Sequence, residues 1–132
     1  MAKPKVDIVF QATGVHAWNV CQGYMNALIE MGLLNRVFRP CCQWGQLKPD
    51  HDDGLMDYLK KPTADVMLLL GFDWHSQPLH TTTAWQDAWR EARTFKMMYC
   101  LESVLDQDHT FGNTLTSDAM KRAGGLVNGI VV

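Results

Sequence analysis

The sequence lacks a surplus of basic residues. Of its 132 residues, 12 are Lys or Arg and 14 are Asp or Glu, which gives a formal net charge of −2. A protein that binds nucleic acid needs a basic surface to neutralise phosphates, so we expect no nucleic-acid partner. No apolar run approaches the roughly 20 residues that a membrane helix requires, and no signal-peptide pattern opens the chain. These absences predict a cytoplasmic protein without a membrane span.

Cysteines are few and poorly spaced for metal or disulfide chemistry. The four of them, Cys21, Cys41, Cys42 and Cys100, form no C-x-x-C pair. This pattern excludes the common zinc spacings and a disulfide framework. We interpret the cysteines as small buried side chains in a reducing compartment. A nucleophilic Cys100 is the alternative, although no local signature supports it.

Glycine-rich phosphate motifs are also missing. Neither the G-x-G-x-x-G dinucleotide fingerprint nor the Walker A loop occurs in the chain. A nicotinamide or flavin dinucleotide site is therefore not expected. We predict no cofactor and no bound metal.

What the sequence does contain is an alternation of strand-like and helix-like segments. Hydrophobic residues make up 47% of the chain and charged residues 20%, which is typical of one globular domain. The predicted strands cover residues 6–10, 37–42, 66–70, 94–101 and 126–132. The predicted helices cover 16–31, a segment ending at 60, a segment starting at 81–83, and 114–123. Gly32 is predicted to end the first helix, Trp85 and Trp89 of the third to belong to the core, and residues 43–48 to form a loop. This order predicts an α/β, three-layer Rossmann-like domain with about five parallel strands and helices on both faces.

The most informative stretch follows the third predicted strand, Val66–Leu70. This run of five apolar residues indicates a strand buried on both faces, and Asp73, Trp74 and His75 come shortly after it. In open parallel sheets, ligands bind beyond the carboxyl ends of the strands. We therefore predict a substrate-binding site here, joined by Glu102 at the end of the fourth strand. The alternative is a polar loop with one aromatic residue packed on the core.

A second candidate lies between the first strand and the first helix. Gly14 and His16 stand where free backbone N–H groups and the helix dipole favour an anion. His16 is a candidate general base, because the positive end of a helix depresses an imidazole pKa. The alternative is an ordinary turn followed by an exposed helix residue.

An acidic cluster at Asp50–Asp53 has two interpretations. Carboxylates at this spacing are able to hold Mg²⁺ or Mn²⁺. Acids that precede a helix also serve as ordinary caps. We favour capping, because the cluster does not follow a strand directly.

Three segments share a pattern with one family. They are the strand and Asp-Trp-His segment Asp65–Leu79, the first strand, loop and helix start Val6–His16, and the late strand Leu126–Val131. Together they resemble the amino-terminal Rossmann-like domain of GT-B-type glycosyltransferases, such as starch and glycogen synthases. The chain departs from the family in having a single glycine, Gly14, after the first strand, and Leu101-Glu102-Ser103 after the fourth.

The resemblance implies a role for the chain and for its residues. Residues 1–132 would form a single domain, the amino-terminal half of a longer two-domain protein. This half would bind a sugar or glycan acceptor, while a missing second domain would hold most of the nucleotide-sugar donor. His16 would act as a base or donor-phosphate contact. Asp73, Trp74, His75 and Glu102 would line the sugar site, with Trp74 as a stacking surface.

The residues themselves leave a different function class open. A non-catalytic, flavodoxin-like α/β binding or regulatory module has the same alternation of strands and helices. Such a module is compatible with a homo-oligomer that covers the apolar last strand.

Overall fold

A computed structural model describes residues 2–10, 15–40, 42–43, 46–47, 53–70, 83–99 and 127–131. Its strands are β1 (Val6–Phe10), β2 (Leu34–Phe38), β3 (Cys42–Gln43), β4 (Gln46–Leu47), β5 (Val66–Leu70), β6 (Phe95–Tyr99) and β7 (Gly129–Val131). Its helices are α1 (Val15–Glu30), α2 (Leu55–Tyr58) and α3 (Thr83–Glu91).

The strands of the described residues form one parallel sheet in the order β2-β1-β5-β6-β7, beside the short antiparallel β3–β4 pair. The predicted α/β class with a parallel sheet is confirmed. The strand predicted from the apolar run, β5, lies at the centre. The three-layer, Rossmann-like arrangement remains a prediction.

The core divides between the two sides of the sheet. Successive side chains of a strand point to opposite faces, so Ile8, Phe10 and Leu70 define one side and Val9 and Met67 the other. The first side, which we call the α1 face, has a buried cluster completed by Cys21 of α1. On the second side, the α3 face, Val9 and Met67 are joined by further side chains from β2, β5, α2 and α3: Phe38, Leu55, Leu59, Leu69, Trp89 and Ala92. The prediction that Trp89 belongs to the core is confirmed.

Helix α1 ends just before Gly32, as predicted. Gly32 has a φ of 71°, a conformation that costs other residues energy. Its N–H donates to the carbonyl of Ile29 at 3.0 Å, and the N–H of Leu33 donates to the carbonyl of Leu28 at 2.8 Å. This pair of hydrogen bonds is a Schellman motif. It turns the chain directly into β2.

The second strand differs from the prediction. It spans residues 34–38 rather than 37–42 and lies at an edge of the described sheet. Between Val6 and Ile8 the pairing with β2 shifts by one residue, so that Asn35 and Arg36 together stand opposite Asp7. This bulge places two polar residues inside the strand. Because they interrupt the apolar pattern, the sequence does not indicate that the strand begins at Leu34. Part of the predicted loop at 43–48 instead forms the β3–β4 pair.

The described helices show no membrane-spanning segment: none is both long enough and apolar enough to cross a bilayer.

Candidate functional site

The sheet brings the ends of three adjacent strands to one edge. In the register of β1, β5 and β6, Phe10 lies beside Leu70, and Leu70 beside Tyr99. Each of these residues is the last of its strand. The three strands therefore end side by side at the carboxyl edge of the sheet, where open α/β sheets bind ligands.

The residues predicted from sequence to form the site follow these three strand ends. Gly14 comes four positions after Phe10, Asp73 three positions after Leu70, and Glu102 three positions after Tyr99. Gly14, Glu102 and the trio Asp73, Trp74 and His75 lie outside the described residues. The structure thus describes the strands that precede these residues, and their roles remain predictions.

His16 is the second residue of α1, which begins shortly after the carboxyl end of β1. The backbone at this position is described and the side chain is not. The first turn of α1 contains no acidic residue, so no carboxylate of that turn offsets the positive end of the helix dipole. This helix start therefore favours a negatively charged group near the carboxyl edge.

The strand order adds a second reason to look at this edge. From β1 the chain passes through α1 to β2 on one side, while β5 pairs with β1 on the other side. In open α/β sheets, ligands bind at the carboxyl edge where the direction along the sheet reverses. This point lies between the ends of β1 and β5, which precede Gly14 and Asp73.

Arg39 lies just beyond β2 at the same edge. Its backbone N–H donates to the Oδ2 atom of Asp53 at 2.7 Å. Asp53 and Gly54 both have left-handed backbone angles, with φ of 56° and 77°, and Gly54 is the N-cap of α2 without a side-chain capping bond. The N-cap residue is thus Gly54 and not Asp53, whose carboxylate holds the start of α2 against the end of β2. Asp50, His51 and Asp52 lie outside the described residues.

Cys21 is a buried free thiol in α1. Burial raises its pKa to about 12, and the nearby positive charge of Arg39 acts in the opposite direction. The thiol therefore stays protonated near neutral pH and is a poor nucleophile. The interpretation as a buried small side chain is confirmed for Cys21. Cys41 and Cys100 lie outside the described residues, as does the side chain of Cys42.

A polar network that was not predicted from the sequence lies at the other edge of the sheet. Asp7 is fully buried, and its Oδ1 atom accepts hydrogen bonds from the Asn35 side chain at 2.8 Å and from the backbone N–H of Arg36 at 3.0 Å. Its Oδ2 atom accepts from the Tyr58 hydroxyl. The side chain of Asn35 also donates to Thr63 at 3.1 Å. A signal was present, because Asp7 is the only charged residue in the run Val6–Phe10.

Arg36 stacks on two aromatic rings, one of which belongs to this network. Its guanidinium carbon lies 4.9 Å from the ring centre of Phe38 and 4.8 Å from that of Tyr58. The two rings are themselves 4.8 Å apart. Stacking of a cation on aromatic faces is favourable, so Arg36 stabilises the pair of Phe38 and Tyr58 rings. The network therefore joins β1, β2, and the chain from α2 to the start of β5.

Lys96 is the other buried charged residue among those described. Its Nζ atom donates to the carbonyl oxygen of Ala92 at 2.7 Å, just beyond α3, and burial lowers its pKa. The backbone of Lys96 exchanges two hydrogen bonds with Asn128, at 2.8 and 2.7 Å. Lys96 thus ties the end of α3 and the approach to β7 to the start of β6.

A separate groove of about 650 Å³ runs between α2 and α3. Its lining includes the apolar side chains of Met56, Leu59 and Ala88 and a mostly acidic charged set, Asp57, Lys60, Asp87 and Glu91. Two of the acids are paired on the surface, Asp57 with Lys60 at 3.4 Å and Asp87 with Arg90 at 3.7 Å. The groove suits a cationic molecule better than a phosphate.

Metal ligands do not converge within the described residues: no group of three or more His, Cys, Asp or Glu side chains is placed to hold an ion there. Comparison of the sequence with protein-family models and with curated proteins finds no match.

Proposed function

We propose that the chain is the amino-terminal, acceptor-side domain of a glycosyltransferase that uses a nucleotide-sugar donor. The observation that carries this proposal is the common end of β1, β5 and β6 at the carboxyl edge. The predicted site residues follow those three strand ends. In this proposal residues 1–132 form a three-layer Rossmann-like unit that needs a second domain for most donor contacts.

The proposed roles follow from the chemistry of each residue. Trp74 offers an aromatic face to a pyranose ring. Asp73, His75 and Glu102 hydrogen-bond the sugar hydroxyls, which a carboxylate and an imidazole do well. Gly14 lets the backbone come close to the ligand.

His16 has a separate role in the proposal, as the base or donor-phosphate contact at the positive end of α1. The absence of acidic residues from the first turn of α1 supports this role, because the helix dipole there favours an anion.

The test is ligand-observed NMR with glycans, free nucleotides and nucleotide sugars added separately to the purified chain. We expect glycan binding that His75→Ala removes. The matched control is Lys61→Ala, a substitution of an exposed residue in the segment after α2, which is expected to leave binding unchanged. Circular dichroism and thermal unfolding show whether both variants remain folded. Absence of glycan binding at millimolar ligand would contradict the proposal.

The second candidate is a non-catalytic, flavodoxin-like binding or regulatory module, and the strand order favours it. Renumbered along the chain, the main sheet has the order 2-1-3-4-5, which is the order of flavodoxin-like domains. Such a module would bind an anion at the start of α1 without a sugar site. In the NMR screen it would respond to a free nucleotide or inorganic phosphate, and His75→Ala would leave that response intact.

A further inference from the structure

The groove between α2 and α3 has an apolar floor. Leu59 is 2% exposed and belongs to the core cluster of the α3 face, and Ala88 packs against that cluster. Both side chains line the groove, together with Met56 and Ala84. The volume of about 650 Å³ lies within the usual range for sites that bind small molecules.

One wall of the groove is a single stripe of α3. Ala84, Asp87, Ala88 and Glu91 all line the groove, and their spacing of three and four residues places them on one side of the helix. The stripe is about 10 Å long, because an α-helix rises about 1.5 Å per residue. The other wall comes from α2, which has four residues. A groove this short does not provide the roughly 800 Å² per partner of a stable protein interface, so it suits a small molecule.

The charges of the lining are unequal. Among its described residues, Asp57, Asp87 and Glu91 are acidic and Lys60 is basic, which leaves an excess of two negative charges. The Nζ atom of Lys60 lies 3.4 Å from Asp57, with the two side chains 80% and 90% exposed, and Arg90 lies 3.7 Å from Asp87. Exposed ion pairs of this kind are weak, so both carboxylates are able to bind a second cation.

Glu91 is unfavourable for the helix that carries it. It is the last residue of α3, where the negative end of the helix dipole repels a carboxylate. It also follows Asp87 by four residues, a spacing at which like charges repel each other. No ion pair joins Glu91 to another of the described residues. Helix stability therefore does not explain this carboxylate, whereas a cation in the groove is attracted by it.

We propose that the groove binds a small aliphatic diamine in its doubly protonated form. The two ammonium groups match the excess of two negative charges, one near Asp87 and Glu91 of α3 and the other near Asp57 of α2. The methylene chain lies on the apolar floor of Leu59 and Ala88. This site belongs to the α3 face and not to the strand ends at the carboxyl edge, so it does not depend on the proposed glycosyltransferase role.

The test is an NMR titration of the isotope-labelled chain at low ionic strength, in which backbone amide signals locate the binding site. The probes are putrescine, n-butylamine and butanediol, which have the same carbon chain and two, one or no charges. We expect putrescine to shift the amide signals of Ala84, Asp87, Ala88 and Glu91 at millimolar concentration. We expect n-butylamine to bind about 10-fold more weakly, and butanediol not to bind.

Two variants alter the groove in different ways. Glu91→Gln removes one charge and keeps the size of the side chain, and we expect it to weaken putrescine binding at least about 3-fold. Ala84→Leu fills part of the groove without a change of charge, and we expect it to weaken binding by at least as much. The matched control is Glu30→Gln, since Glu30 is also an exposed last residue of a helix and does not line the groove.

The control variant is expected to bind putrescine as the wild type does. Circular dichroism establishes that each variant is folded, and either groove variant suffices if the other does not fold. The proposal would be overturned if putrescine shifted no amide signal of the groove, or if folded groove variants bound it unchanged. An equal loss in Glu30→Gln would also overturn it, because attraction by the overall charge would then explain the binding.

Discussion

The two edges of the sheet are built differently. At the amino edge, side chains fasten the strands to one another: Asp7 joins β1, β2 and α2, Asp65 accepts from the backbone of Lys5 at 2.8 Å, and Lys96 holds the end of α3. At the carboxyl edge, the strands β1, β5 and β6 end together on apolar or aromatic residues. Among the described residues, the two buried charged side chains, Asp7 and Lys96, therefore lie at the amino edge.

The strongest test of this comparison removes the same carboxylate from each edge. Asp7→Ala leaves several buried polar groups without their acceptor, so we expect the free energy of unfolding to fall by about 3 kcal/mol. Asp53→Ala at the carboxyl edge removes the exposed hydrogen bond from the backbone N–H of Arg39, and we expect a loss of about 1 kcal/mol. Urea denaturation of the two variants measures both values. Equal losses in the free energy of unfolding would contradict this difference between the two edges.

A smaller effect is expected from the turn that carries α1 into β2. Gly32 has a left-handed φ, and an added Cβ atom would lie 3.3 Å from the Nζ atom of Lys3. We expect Gly32→Ala to destabilise the fold by about 1 kcal/mol.

The matched control for this turn is Gly23→Ala within α1. A Cβ atom there meets nothing within 4 Å, and alanine is the better helix former by about 0.8–1 kcal/mol. We therefore expect this variant to be more stable than the wild type by chemical denaturation. If Gly32→Ala lowers the free energy of unfolding and Gly23→Ala raises it, the Schellman turn at Gly32 is supported. A loss of stability in both variants would argue against it.

The smallest expected effect concerns pH at Lys96. Burial lowers the pKa of this amine in the folded state, so the unfolded chain binds more protons between the lowered pKa and the ordinary value near 10.5. In that window stability rises with pH, and below it the cost of the buried charge is fully present. The difference in unfolding free energy between wild type and Lys96→Met should therefore shift in favour of the wild type as pH rises toward 10.5. A difference independent of pH would show that burial does not shift this amine.

For the candidate site, the sequence predicts which residues take part. The structure describes only the strands that precede those residues. Patterns at β1, β5 and the start of α1 were enough to predict which segments leave the sheet at its carboxyl edge. Gly14, Asp73, Trp74, His75 and Glu102 lie outside the described residues. Their mutual distances depend on loop conformations, which hydrophobic periodicity does not encode.

Elements with a local signal were predictable from the order of the residues alone. Val6–Phe10 and Val66–Leu70 are strands with the predicted bounds, because continuous apolar runs of this length form buried strands. Gly32 ended α1 as predicted, because its lack of a Cβ atom suits the left-handed turn.

Features that depend on contacts between residues far apart in the chain were not predictable in this way. The bulge that pairs Asn35 and Arg36 with Asp7 moved β2 from its predicted position, and the acceptor needs of Asp7 are met by Tyr58, 51 positions away. These features depend on long-range hydrogen bonding and burial, whose partners no local pattern identifies.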